Sequence, residues 1–290
     1  MLKRVRIILT VLLLLAAVGL DAQVTTASMA GKVTDASNEP IIGATVQAVH
    51  QPSGSRYGTV TNVDGRYSIQ GMRTGGPYRV EFSYTAIRQL FIGHTLQLGE
   101  VYNLNVEMSE SSELLNEVIV TAAKTKFTAE KTGATTNISS AQITQLPTVN
   151  RSISDIARLS PYANGMSFAG GDGRSTNFTI DGANFNNNFG LSSNLPGGGN
   201  PISMDAIEEV QVVVAPFDVR QTNFIGGGIN AITKSGTNTF RGTAYTYYRN
   251  QDMRGNRING EDLGARSDES KTTYGFTLGG PIIKNKLFFL

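Results

Sequence analysis

Apolar and polar residues alternate in short runs along most of this chain, and each run ends at a turn signal. A period of two places successive side chains on opposite faces, which is the pattern of a strand with one face buried. Tyr78, Val80, Phe82 and Tyr84 share a face in this way, as do Leu104, Val106 and Met108, and as do Tyr274, Phe276 and Leu278. Helix-like periodicity is confined to a few short stretches. Glycine, at 32 of 290 residues with only 9 prolines, supplies the turns such strands need, and it has no collagen-like period. With 40% apolar and 17% charged residues the chain has the composition of a folded protein, of mainly β class.

Composition also removes whole classes of chemistry. There is no cysteine, so disulfide scaffolds, thiolate metal sites and cysteine nucleophiles are excluded. The two histidines, His50 and His94, stand among no metal-ligating residues and read as ordinary surface or loop positions. No nucleophile–base pair or metal constellation is visible, so the sequence predicts no catalytic residue, no metal, no cofactor and no enzyme. Three of the 25 basic and one of the 23 acidic residues lie in the first 22 positions, leaving 22 of each in the body. A neutral body gives no case for nucleic acid.

Residues 1–22 read as a secretory signal. Lys3, Arg4 and Arg6 form a basic start, and residues 7–20 are apolar apart from Thr10, about 14 positions. That length suits an h-region of ~7–15 residues rather than a spanning helix of ~20. Cleavage is expected after Ala22, and export follows. No later stretch is apolar enough for a membrane helix, so any span must be made of strands.

Residues 24–108 read as an antiparallel β-sandwich. Short strands around 31–34, 44–49, 58–62, 66–69, 78–84 and 101–108 are separated by polar turns, among them Asp64-Gly65. The stretches Gly31-Lys32-Val33-Thr34-Asp35, Pro40-Ile41-Ile42-Gly43-Ala44-Thr45-Val46 and Thr61-Asn62-Val63-Asp64-Gly65-Arg66-Tyr67 resemble the carboxypeptidase regulatory-like domain. The resemblance implies a transthyretin-like sandwich at the front of a larger exported protein, and no peptidase.

Residues 109–136 read as a linker. Within it Glu117, Val118, Ile119, Val120, Thr121 and Ala122 form a strand-prone segment on a tether, suited to adding its backbone to a partner's sheet edge. This segment resembles the TonB box of TonB-dependent outer-membrane receptors. Residues 137–235 resemble the plug domain of the same family. The run begins with a helix-like stretch from Ile138, with Ser139 or Ser140 as N-cap, that ends at Leu146-Pro147. A second short helix over 152–159 would bury Ile153, Ile156, Ala157 and Leu159. The Phe178-Thr179-Ile180-Asp181-Gly182 strand, the Ile207-Glu208-Glu209-Val210 turn into a buried strand, and the strand opened by Gly226, Gly227 and Gly228 complete the match. The three glycines are expected to pack closely against a barrel wall. The loop after Ala183 carries Asn184, Phe185, Asn186, Asn187, Asn188 and Phe189, which the resemblance makes a candidate ligand-facing apex; a solvated loop is the alternative. Arg174 matches a family arginine, which implies a plug–barrel contact; a surface salt bridge is the alternative.

Residues 236–290 begin an outer-membrane barrel they are too few to close. Tyr274, Phe276 and Leu278 would face lipid, with Thr273, Gly275 and Thr277 toward the lumen. The segment 279–289 resembles early barrel turns of Oar-like receptors. The expected whole is therefore a sandwich, an α+β plug and the first strands of an incomplete transmembrane barrel in the outer membrane. The resemblance implies substrate uptake gated by the plug. It implies as partners TonB with its inner-membrane energising complex, outer-membrane lipid, and a surface substrate-binding lipoprotein. A secreted or periplasmic, non-enzymatic binding or adhesion module is the alternative reading.

Overall fold

The computed structural model describes residues 24–85, 87–108, 118–119, 134–146, 148, 151–187, 195, 201–214, 221, 225–262, 264 and 267–290. Among these no helix is long and apolar enough to cross a membrane.

The first unit packs two sheets. One is built on β1 (Ala27–Asp35), with β4 (Arg66–Met72) on one side and β7 (Val101–Asn103) and β8 (Val106–Met108) along the other. The second runs β3 (Ser55–Val60), β2 (Thr45–His50), β5 (Gly75–Tyr84), β6 (Ile87–Leu96). Alternation along β2, β4 and β5 turns Val46, Ala48, Tyr67, Ile69, Tyr78, Val80 and Phe82 into one core with Met29, Val33, Leu96 and Met108. Among these strands all pairs are antiparallel except β1 with β7 and β8, which are parallel because the chain re-enters the first sheet from the far sheet; a further short strand pairs in parallel with β6 on the edge of the second sheet. The expected strand over 101–108 is split in two: Leu104 N–H donates to Ala30 O, and Leu104 O accepts from the Tyr67 hydroxyl at 2.8 Å.

Both histidines belong to this core rather than to its surface. His50 on β2 is 7% exposed, bonded through Nδ1 to Ser53 Oγ and tilted against the Tyr78 ring at 5.0 Å. His94 on β6 is 2% exposed and meets the Tyr102 hydroxyl at 2.9 Å. Sequence alone missed this because 87–96 alternates weakly and was not read as a strand. Asn62 Oδ1 accepts from the N–H groups of Asp64 and Arg66, so it shapes the turn there.

The second unit is one sheet in the order β10 (Ala134–Ser139), β15 (Ile207–Val214), β16 (Gly227–Thr233), β13 (Asn177–Ile180), β14 (Ala183–Asn184). Two short helices cover one face. In α1 (Ser140–Gln145) Ser139 is the N-cap, in a reciprocal box with Gln142; α2 (Ile153–Ala157) has the same arrangement of Ser152 with Asp155. Their Ile143, Ile153, Ile156 and Ala157 pack on Ile138, Phe178, Val210, Val212 and Ile229. Leu159, expected in that core, is 41% exposed: α2 ends at Ala157, so Leu159 leaves the helical period. A small hairpin of β11 (Ala163–Asn164) and β12 (Ser167–Phe168) adds Phe168 to the core.

The last unit is an open sheet, β17 (Arg241–Asn250), β20 (Ser270–Ile283) and β21 (Leu287–Phe289), with the small pair β18 (Arg257–Ile258) and β19 (Glu261–Asp262) in its long connection.

Candidate functional site

One contact that frames the candidate site joins the 134–233 sheet to the open sheet. Arg151 lies over the rings of Tyr245 and Tyr247, its guanidinium carbon 5.6 and 4.8 Å from their centres. The same guanidinium is held by Asp205 at 3.1 Å, and Ser203 Oγ meets the Tyr245 hydroxyl at 2.9 Å. Tyr245 fits because residue 275, opposite it in register, has no side chain. A Cβ there would lie 2.6 and 2.8 Å from Tyr245 Cζ and Cε1. On the other face Tyr274 and Phe276 are 81% and 80% exposed, an apolar stripe turned outward.

Arg174, which the family resemblance made a candidate for a plug–barrel contact with a surface salt bridge as the alternative, forms a salt bridge. It pairs with Asp172 two residues before it, Nε to Oδ2 at 2.8 Å, with half of its side chain exposed. That pairing holds the Asp172 carboxyl below the usual carboxylate range, chiefly by hydrogen bonds from Arg174. Arg151 carried no signal in the sequence, because its partners Asp205 and Tyr245 are far away in the chain.

Two of the three glycines lie close to buried Phe168: a Cβ on Gly226 would sit 3.0 Å from its carbonyl oxygen, and one on Gly227 would sit 2.6 Å from both its Cβ and Cγ.

Of the loop 184–189, Asn188 and Phe189 lie outside the described residues. Phe185 packs against the core of the sheet, and its N–H donates to Phe178 O. Asn186 is spent on the strand beside it: Oδ1 accepts from Phe178 N–H at 2.6 Å, and Nδ2 donates to Asn177 Oδ1. Asn184 Oδ1 accepts from Asn186 N–H, and Asn187 is half-buried.

Within the segment 117–122 only Val118 and Ile119 are described. They form β9 (Val118–Ile119), a two-residue strand lying parallel to Phe91 and Ile92 on the open edge of the sandwich's second sheet. Glu117, Val120, Thr121 and Ala122 lie outside the described residues.

A cavity of about 390 Å³ opens where the three units meet, lined among others by His50, Arg73, Asp181, Glu208, Thr233 and Arg241. Asp181 is already engaged there by the N–H and hydroxyl of Thr233. Burial pushes the Glu208 carboxyl above its ordinary value, with Lys234 and Arg241 pulling it back. Burial, helped by Arg73, lowers His50 to about 4. Among the described residues no group of three or more His, Cys, Asp or Glu could hold a metal ion.

Residues 28–109 match the carboxypeptidase regulatory-like domain, and residues 232–290 match an outer membrane beta barrel domain. The chain is therefore an outer-membrane protein carrying that sandwich. More particularly, it is 27% identical over 282 residues to the TonB-dependent transporter Oar of Myxococcus xanthus, across 89% of this chain and 26% of that protein. Among solved structures it is similar to the siderophore receptor PirA of Acinetobacter baumannii (25% identity, 52% of this chain, 22% of that one, TM-score 0.39). It is also similar to the ferric enterobactin receptor PfeA of Pseudomonas aeruginosa (20% identity, 52% and 23%, TM-score 0.39). The chain thus spans about a quarter of the length of each of these relatives.

Proposed function

We propose that this chain is the N-terminal part of a TonB-dependent transporter, in which the 134–233 sheet is the plug and gates energy-coupled uptake across the outer membrane. The chain does no covalent chemistry in this reading; the energy comes from the partner. The observation that carries it is the seam of Arg151, Asp205 and Ser203 against Tyr245 and Tyr247. It seats the sheet on the inner face of a hairpin whose outer face is apolar. The likeness to Oar across most of the chain supports the same reading.

Coupling runs through residues 117–122. Val118 and Ile119 already pair with a sheet edge through their backbone, which is the property TonB recognition requires. Replacing Val118 by Pro removes a backbone donor from such a pairing. The V118P receptor should lose capture by the purified periplasmic domain of TonB, followed by calorimetry, while its spectrum and outer-membrane yield are unchanged. Undiminished capture by V118P would overturn the assignment of this segment.

A further inference from the structure

The 134–233 sheet has two unlike faces, and the difference follows from alternation along β15. Val210, Val212 and Val214 point into the apolar core with Ile138, Ile229 and Phe178. Glu209 and Gln211 point the other way, and both are buried, at 5% and 2% exposed. Register continues this second face across the sheet: Asn137 on β10 opposes Gln211, Gln211 opposes Asn230 on β16, and Asn230 opposes Thr179 on β13. Four polar side chains therefore form one row across four strands. Thr179 Oγ1 and Asn230 Oδ1 are bonded at 2.9 Å.

What covers this row is the sandwich. Leu98 N–H donates to both Glu209 carboxylate oxygens, at 3.1 and 3.0 Å. Leu98 O accepts from Gln211 Nε2 at 2.7 Å and Asn137 Nδ2 at 3.0 Å, and Asn137 also reaches Glu209 Oε1 at 2.9 Å. At the next strand Asn230 Nδ2 donates to Val24 O at 2.6 Å. Side chains of one unit thus grip the main chain of the other, and Leu98 and Val24 are themselves buried.

We infer that this polar row is a separable docking face: the sandwich is clasped to the plug sheet through Glu209, Gln211, Asn137 and Asn230, and leaves it without unfolding either unit. A buried apolar face exposed to water loses hydrophobic stabilisation in proportion to its area. A carboxylate and carboxamides regain hydrogen bonds from water when uncovered, so net loss per bond is small. Polar contacts of this kind are what inter-domain interfaces that open and close use. The apolar face of the same strands is the permanent one. The inference needs only the fold, and stands whether or not residues 117–122 meet TonB.

Hydrogen exchange on the intact protein tests it. In the native chain the Leu98 amide should exchange at least tenfold faster than the ladder amides of Val212 and Ile229, because undocking precedes opening of the sheet. E209A/Q211A should speed Leu98 exchange a further ten- to hundredfold and leave Val212 and Ile229 unchanged. E209Q keeps an acceptor for the Leu98 N–H, so it should restore most of the protection and guards against a double variant that fails to fold. Leu98 exchanging at the same rate as Val212 in the native chain would show a permanent interface and overturn the inference. So would Leu98 protection that is indifferent to E209A/Q211A and E209Q alike.

Discussion

The seam between the 134–233 sheet and the hairpin depends on residue 275 having no side chain, and Gly275→Ala isolates that dependence. Its backbone is not in the left-handed region, so alanine meets no conformational strain there. The added Cβ would lie 2.6 Å from Tyr245 Cζ, about an ångström inside contact distance, and the ring must swing away. Displacing it removes the hydroxyl's bond to Ser203 at 2.9 Å and the ring's contact with the Arg151 guanidinium at 5.6 Å. A hydrogen bond of this kind contributes about 1 kcal/mol and the cation–π contact about 0.5–1. The seam should therefore weaken by roughly 1.5–2 kcal/mol, or about 10–30-fold in opening equilibrium. Hydrogen exchange at Ala206 and Ile207, whose N–H groups close the turn on Ser203 and Met204, reads that opening in the intact protein. The double variant is the decisive arm: with Tyr245→Ala already present, Gly275→Ala should change exchange by less than about 0.5 kcal/mol. An equal cost in both backgrounds would refute the reasoning, because the glycine would then be serving something other than the tyrosine.

Two further outcomes follow from the sandwich. Gly31→Ala places a Cβ 2.7 Å from the Leu104 carbonyl carbon, a backbone group that cannot rotate aside. Separating the strands breaks the Leu104 N–H to Ala30 bond and the Tyr67 hydroxyl bond, so denaturant melting should show a loss of about 3–5 kcal/mol; a loss under about 1 kcal/mol would count against that packing. His50 titrates near 4 when folded and near 6.5 when unfolded, so folding favours its neutral form. Its contribution is complete above about pH 6.5 and is lost as pH falls from there toward 4, since the unfolded state binds the extra proton. A His50→Gln variant should have a flatter stability profile across that window, and an unchanged profile would exclude His50 as its source.

What the sequence made legible was whatever one strand or one turn decides alone. Alternation placed Tyr78, Val80 and Phe82 on a face, and all three are fully buried; Ser139 and Leu146 cap α1, although Ile138, read into the helix, lies in β10. What it hid depends on register between distant segments. Leu98 and Glu209 are 111 positions apart, and nothing in either neighbourhood announces the other. Glu209 and Gln211 alternate with valines in a strand that the sequence marks as buried, but alternation alone does not say which unit covers their face. Gly227 is a related case. The sequence shows that something comes close, but that Phe168 is the neighbour is decided by a hairpin some 60 residues earlier.

The attachments of the 134–233 sheet differ in what replaces them when they break. Its helices sit on an apolar face, where water offers nothing in exchange and the cost grows with every square ångström uncovered. Its hold on the hairpin is one guanidinium, one carboxylate and two tyrosines, an assembly of about 1.5–2 kcal/mol at Tyr245. Its hold on the sandwich is a row of amides and a carboxylate gripping main chain, all of which water can satisfy. On the proposed reading, a load applied at residues 118–119 would act beside β6, on the sandwich. The row and the seam would then yield before the helix-covered face does, so the 134–233 sheet would shift intact rather than unravel strand by strand. That order of attachment strengths is set by which face of β15 each side chain occupies.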